Sequence, residues 1–336
     1  MSISVHVHLL SGKCASLEVE ADASIESLKH RAQSALAVPS SRQLLNSSGE
    51  VLDGAQNVTE AMLNSGDVLT LLVNQVLLKS IKRNFTRLSA FAAILADGSV
   101  VSWGDAGKGG DSSAVQEQLR DVQQNQASEQ AFAAILADGS VVTWGSAVYG
   151  GDSSAVQNQL RDVQQIQASY GAFAAVLGDG SVVTWGNAAC GGNSSWVRDQ
   201  LRDEQLRDVQ QIQASNSAFA AIRTDGSVVT WGDAHDGGDS SEVQDQLRDV
   251  QQIQASNGAF AAIRSDGSVV TWSNGAFGCS SSAIRDQLRD VQQIQASEHA
   301  FAAIRTDGSV VTWGDTHDGG DSSKVQDQLR DVQQIQ

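Results

Sequence analysis

"AFAAIRTDGSVVTWGDAHDGG", Ala218 to Gly238, decides the fold of this chain, because near-copies of it occur five more times. The shared phenylalanines are Phe91, Phe132, Phe173, Phe219, Phe260 and Phe301, at spacings of 41, 41, 46, 41 and 41 residues. A five-residue duplication within "DQLRDEQLRDVQ", residues 199–210, accounts for the longer step. A fixed period of this size marks an array of units that cannot bury their cores alone. Each unit reads as strands. "VQQIQAS" alternates apolar and polar residues, as a half-buried strand does. "AFAAI" is an apolar run whose small residues suit crowded backbones. Asp-Gly at 97–98, 138–139, 179–180, 225–226, 266–267 and 307–308 predicts a type I′ hairpin turn. "SVVTWG" then returns antiparallel with β-branched residues and the tryptophan. "AVQEQLR" (114–120) and its counterparts fit a fourth strand or one helical turn. Four short strands, radially repeated, make a propeller blade. A helical solenoid is opposed by the Asp-Gly punctuation and the Val-Val-Thr-Trp runs.

Residues 1–75 share nothing with the repeat. "SISVHVHLL" and "ASLEVEA" alternate around an "SGK" turn and predict a hairpin. "SIESLKHRAQSAL" predicts a helix with Ser24 as cap and Glu26 in the first turn, Ile25, Leu28, Ala32, Ala35 and Leu36 forming its apolar face. "RQLLNSS" and "DVLTLLV" supply two more strands. This stretch resembles ubiquitin in the length and pattern of its opening hairpin and helix, in "LDG" and in its final strand. The resemblance implies a β-grasp domain, with the ubiquitin binding patch falling on Leu10, Asn46 and Leu72. Asn46 stands where that patch has its central isoleucine. "LLVNQVLLKS" continues into the chain in place of the Gly-Gly tail, so conjugation through this domain is not expected.

The repeat is similar to that of the regulator-of-chromosome-condensation family: an apolar strand, "DG", a "VxxWG" strand and a Gly-rich turn. Asp225, Gly226, Val228, Trp231, Gly232, Gly237 and Gly238 carry the match in one copy. The resemblance spans about residues 78–336 and implies a propeller, although the family normally has one blade more than the six units counted here. The terminal "DVQQIQ" is an incipient further strand. Either Val332–Gln336 closes a six-bladed ring beside the first unit, or the array is incomplete and takes another chain. The expected architecture is therefore mainly β: a ubiquitin-like β-grasp domain (1–75), a basic linker or first strand (76–88) and a propeller of six short repeats (89–336).

Composition narrows the function. The net charge of −17 is uneven: residues 76–88 carry four Lys/Arg and no acid, whereas the following repeats carry 14 Lys/Arg against 31 Asp/Glu. Such a field repels phosphate backbones, so no nucleic acid is expected as partner. No apolar run approaches the roughly 18 residues of a membrane helix, and no secretory signal opens the chain. Cys14, Cys190 and Cys279 are odd in number and far apart, which favours a reducing compartment, cytoplasmic and also nuclear.

Candidate sites come from what differs between copies. One variable place follows the Trp-Gly turn and includes Lys108, Tyr149, Cys190, His235, Asp236, Phe277, His317 and Asp318. The other precedes the Phe strand, as at Glu129/Gln130, Tyr170/Gly171 and Glu298/His299. Equivalent propeller loops gather on one face, and such faces bind partners. The recurring Trp103, Trp144, Trp185, Trp231, Trp272 and Trp313 are expected to pack the blades, while Trp196 lies outside the register. "DAHDGGD" and "DTHDGGD" place Asp233, His235, Asp236, Asp239 and Asp315, His317, Asp318, Asp321 close together, but they lack the terminal Glu of a calcium loop and read as solvated acidic loops. No cofactor, metal or catalytic constellation is expected. Nor is there a counterpart of the thioester-forming domain of HERC-type ubiquitin ligases, which the combined resemblance brings to mind. The expectation is a non-catalytic adaptor in ubiquitin signalling. The alternatives are an exchange regulator of a small GTPase, or the non-catalytic part of a HERC-type ligase.

Overall fold

The computed structural model describes residues 2–8, 14–36, 41–47, 49–73, 77–80, 89–95, 97–195, 207–273, 281 and 284–335. The chain divides into two compact units, Met1–Leu78 with Ala93–Val101, and Lys79–Ala92 with Ser102–Gln336. Among the described residues no helix is long and apolar enough to cross a membrane.

The N-terminal fold is a β-grasp. Strand β1 (Ser2–His8) pairs antiparallel with β2 (Cys14–Glu20) and parallel with β4 (Val68–Val73), which pairs antiparallel with β3 (Ser41–Leu45). Alternation along β1 sends Val5 and Val7 to one face, where helix α1 (Ile25–Leu36) covers them with Ile25, Leu28, Ala32 and Leu36. The Ser24 hydroxyl accepts from the Ser27 N–H at 3.1 Å and so caps the helix. Ala35, expected on the apolar face, is exposed. One residue before Leu36, it is rotated roughly 100° off the buried stripe.

Six three-stranded sheets follow, the last five antiparallel throughout. They comprise β5 (Leu77–Ser80), β6 (Ala90–Ile94) and β7 (Val100–Gly104); β8 (Val122–Ala127), β9 (Ala131–Leu136) and β10 (Val141–Gly145); β11 (Val163–Ala168), β12 (Ala172–Leu177) and β13 (Val182–Gly186). The last three are β14 (Val209–Ala214), β15 (Ala218–Arg223) and β16 (Val228–Gly232); β17 (Val250–Ala255), β18 (Phe260–Arg264) and β19 (Val269–Trp272); and β20 (Val291–Ala296), β21 (Ala300–Arg305) and β22 (Val310–Gly314). The "AFAAI" strand is central in every sheet, which is why it is apolar on both faces.

One open alternative of the sequence reading is decided and one expectation is corrected. The fourth segment of the unit is not a strand among the described residues: Ser113–Val115, Gln244–Gln246 and Gln326–Gln328 are short helical turns. Their leucines, such as Leu160 and Leu247, plug the cores below. The Asp-Gly turns are not type I′, which needs positive φ at both central residues. Gly139 has φ +77°, but Asp138 is not left-handed. The Gly139 N–H donates to the Leu136 carbonyl, and the Leu136 N–H to that of Ser140. This is a three-residue hairpin closed by a left-handed glycine. Asp138 is held because its carboxylate accepts from both the N–H and the hydroxyl of Ser140, at 2.9 and 2.6 Å.

Successive blades pack through unlike faces. Ala131, Ala133 and Ile135 of β9 meet Phe173, Ala175, Val183 and Trp185 of the next blade. Small residues leave room for a stacked Phe–Trp pair, 5.3 Å between ring centroids in Phe173–Trp185. The glycine that ends each helical turn completes the seat, since a Cβ on Gly150 would lie 2.6 Å from the Phe173 ring. The tryptophan N–H then donates to that same glycine's carbonyl: Trp144 to Gly109, Trp185 to Gly150 and Trp272 to Gly237 at 3.0 Å, Trp231 to Gly191 at 3.1 Å. Trp144, Trp185, Trp231, Trp272 and Trp313 are thus buried blade-packing residues. Trp103 departs from this reading. It stacks on Phe91 but stays 45% exposed.

Candidate functional site

The two variable places of the repeat are brought together at one end of the blade in four of the described blades. A serine at the end of the first strand binds the helical turn that follows the third. Ser128 Oγ donates to the Tyr149 carbonyl at 2.8 Å, Ser169 to Cys190 at 2.7 Å, Ser215 to Asp236 at 2.7 Å and Ser297 to Asp318 at 2.8 Å. The same serine oxygen receives the N–H of Ala131, Ala172, Ala218 or Ala300, tightening the turn. From blade to blade the turns are stitched by backbone bonds: Glu129 N–H to Tyr170, Tyr170 to Asn216, Asn216 to Asn257 and Asn257 to Glu298, all 2.7–2.9 Å. An invariant scaffold thereby carries a continuous rim of differing side chains.

The side chains on that rim fall into two groups. Tyr149 meets Tyr170 of the next blade edge-on, 5.6 Å between centroids. Burial, with the Tyr149 hydrogen bond adding to it, pushes the Tyr170 phenol up to about 12. His299 Nδ1 lies 2.7 Å from Asp318 Oδ2. His235 and His317 are exposed, and Val148 beside Tyr149 is also exposed. Asp236 is half-buried, and burial pushes its carboxyl up against the lowering effect of the Ser217 hydroxyl.

Lys108 and Cys190 are corrections to the sequence reading. Both are buried and so are not presented to a partner. Lys108 reaches across to the buried Glu129 of the next blade, Nζ to Oε1 3.8 Å. Burial raises the Glu129 carboxyl, and Lys108 opposes that rise. Cys190 lies under Gly171, where burial keeps its thiol above the ordinary range. That environment disfavours the thiolate that sulfur nucleophiles require. Ser217 was not singled out from sequence, yet its hydroxyl opposes the burial-driven rise of both the Asp236 carboxyl and the Cys190 thiol. The signal was present, since its position reads Gln130, Gly171, Ser217, Gly258 and His299 across copies.

Phe277, Trp196 and Leu10 lie outside the described residues. Leu72 is in β4, paired in register with Gln43. Asn46 closes a turn, its Oδ1 accepting from the Glu50 N–H and its Nδ2 donating to the Glu50 carboxylate, both at 2.9 Å. The acidic loops spend their carboxylates on backbone. Asp233 accepts from His235 N–H and Asp315 from His317 N–H at 2.7 Å, while Asp239 and Asp321 hold the N–H groups of Ser241 and Ser323. Among the described residues no group of three or more His, Cys, Asp or Glu could hold a metal ion.

The N-terminal fold is that of ubiquitin, and residues 3–76 match the model of the ubiquitin family. Ubiquitin of Caldiarchaeum subterraneum is 16% identical, covering 23% of this chain and 98% of its own at a TM-score of 0.21. The repeats are similar to propellers of the chromosome-condensation-regulator type. Prp20p of Saccharomyces cerevisiae, the yeast RCC1, is 17% identical over 70% of this chain and 73% of its own, with a TM-score of 0.44. Human WBSCR16 is 15% identical over 68% and 74%, with the same score. At these identities the likeness is one of fold alone. No curated protein matches the chain in sequence.

Proposed function

We propose that this chain is a non-catalytic interaction scaffold, in which a ubiquitin-family domain is joined to an array of blades whose loop rim recruits a protein partner. The observation that carries this reading is the convergence of both variable places onto one rim, while the strands beneath are nearly identical. Exposed Val148 differs in chemistry from exposed His235 and His317 along that rim, and each can be read by a partner loop. The ubiquitin-family domain supports a role in ubiquitin signalling, as an adaptor of the HERC kind. Asn46, tied to Glu50, makes an unusual centre for the patch and favours a partner other than ordinary ubiquitin receptors.

Purified full-length chain, immobilised beside a His235→Ala/His317→Ala variant, tests the reading against ubiquitin-pathway proteins and small GTPases. Binding of a ligase or substrate that the double variant loses supports it. Faster nucleotide release from a small GTPase would instead establish an exchange regulator, and binding indifferent to both histidines would remove the rim from the function.

A further inference from the structure

One junction between blades differs from the rest in kind. In the second to fifth junctions the strand that opens each blade supplies an isoleucine: Ile166, Ile212, Ile253 and Ile294, all fully buried. Ile166 packs with Ala131 and Ala133 of the preceding blade and with Phe173 and Trp185 of its own. The first junction has Asn125 at this place. It is 1% exposed, and neither its Oδ1 nor its Nδ2 has a hydrogen-bond partner. The same junction holds Lys108 and Glu129, both buried, with Nζ and Oε1 3.8 Å apart. No other ion pair among the described residues has both partners buried. At the corresponding places the next junction sets the Tyr149 ring against that of Tyr170. The first blade is also less tied within itself. Thr143, Thr184, Thr230, Thr271 and Thr312 each bond the serine ten residues on, at 2.8–3.2 Å, whereas the buried Ser102 hydroxyl at that position has no partner. The first junction is nonetheless shut: the Trp144 indole N–H donates to the Gly109 carbonyl at 3.0 Å, and Phe132 lies against Gly109.

We propose that the junction between the first and second blades is the line along which the array opens, the second blade parting from the first while the later junctions stay shut. Closing this junction takes an amide and two charges out of water. The amide gains no hydrogen bond in return, and an ion pair 3.8 Å apart offsets the desolvation of its two charges poorly. Parting returns all three groups to water. At Ile166, Ile212, Ile253 or Ile294 it would expose a fully buried apolar side chain instead, which opposes opening. The parted junction uncovers the stacked Phe132 and Trp144 rings, 5.2 Å between centroids, and the small side chains of Ala90 and Ala92. The array thus has one gate, placed by sequence differences in an otherwise uniform repeat.

Each junction carries its own reporter, because the indole N–H groups of Trp144, Trp185, Trp231 and Trp272 donate to a glycine carbonyl of the preceding blade. Hydrogen exchange of these four groups in the full chain, followed by NMR from zero to low urea, reads the junctions one by one. Trp144 is expected to exchange about 5- to 150-fold faster than the other three, the factor that corresponds to one unpaired buried amide. Its rate should hardly change in low urea, since parting exposes little surface compared with unfolding. Asn125→Ile should slow Trp144 by about the same factor. Ile166→Asn carries the weak place to the second junction and should speed Trp185. Circular dichroism shows whether each variant is folded, and Asn125→Ile, a change to the residue of the other blades, decides the matter where Ile166→Asn does not fold. Equal protection of the four indoles overturns the proposal, as does a Trp144 rate that rises with urea as steeply as global unfolding. A Trp144 rate untouched by Asn125→Ile overturns it too.

Discussion

Among single residues, identity within the repeat matters less than the neighbours a copy has. Trp231 and Trp103 occupy the same place in their units, yet one is fully buried and the other half-exposed. Trp231→Ala should therefore cost about 3–5 kcal/mol of stability in urea denaturation, and Trp103→Ala less than about 1 kcal/mol. Asn125 is a second case. It stands where other blades have Ile166, Ile212, Ile253 and Ile294, is buried, and has neither amide atom hydrogen-bonded. An unpaired buried amide carries its full desolvation cost, so Asn125→Ile should stabilise the protein by about 1–3 kcal/mol, read as a higher denaturation midpoint with unchanged slope. Asn125 stands out when the copies are compared and Trp103 does not, and the size and sign of each effect need the burial.

At the scale of elements, the hairpin turn is the unit whose chemistry repeats most faithfully. In Asp97, Asp138, Asp179, Asp225, Asp266 and Asp307 the carboxyl is held below its usual range, first by the hydroxyl and then by the N–H of the serine two residues on. A folded value below the unfolded one means these turns stabilise fully above the unfolded carboxylate range and lose that contribution as pH falls through the folded value. Because all six shift the same way, acid unfolding should be steep. Asp225→Ala should lower the melting temperature at neutral pH, and the difference from the parent should shrink as pH falls below the unfolded carboxylate range, followed by circular dichroism. The Asp-Gly pair revealed the turn, but its type was settled by the Asp–Ser bond, which outweighs the dipeptide preference for type I′. The "VQxQL" segment shows the same limit. Its leucine is apolar in strand or helical turn alike, and only the core it plugs makes the helical turn the outcome.

For the whole molecule, nearest-neighbour packing sets the distribution of stability. Each described blade core is built from two consecutive units, so interior blades are supported on both faces. Hydrogen exchange should accordingly be slowest in β15 and β18 and faster in β21, whose outer face ends at part-exposed Ala302. Equal protection across all blades would show that the array opens as one cooperative unit. At this scale the loop rim becomes visible: positions about twenty residues apart in sequence, such as Ser215 and Asp236, meet at one end of a blade.

By itself the sequence determined the number of units, the strand order within each and the ubiquitin-like start, because periodicity, alternation and Asp-Gly punctuation are local properties written into consecutive residues. Only the tertiary structure decided which variable residues face outward and which, like Lys108 and Cys190, are buried. Burial depends on what the neighbouring blade supplies, and no single copy of the repeat contains that information.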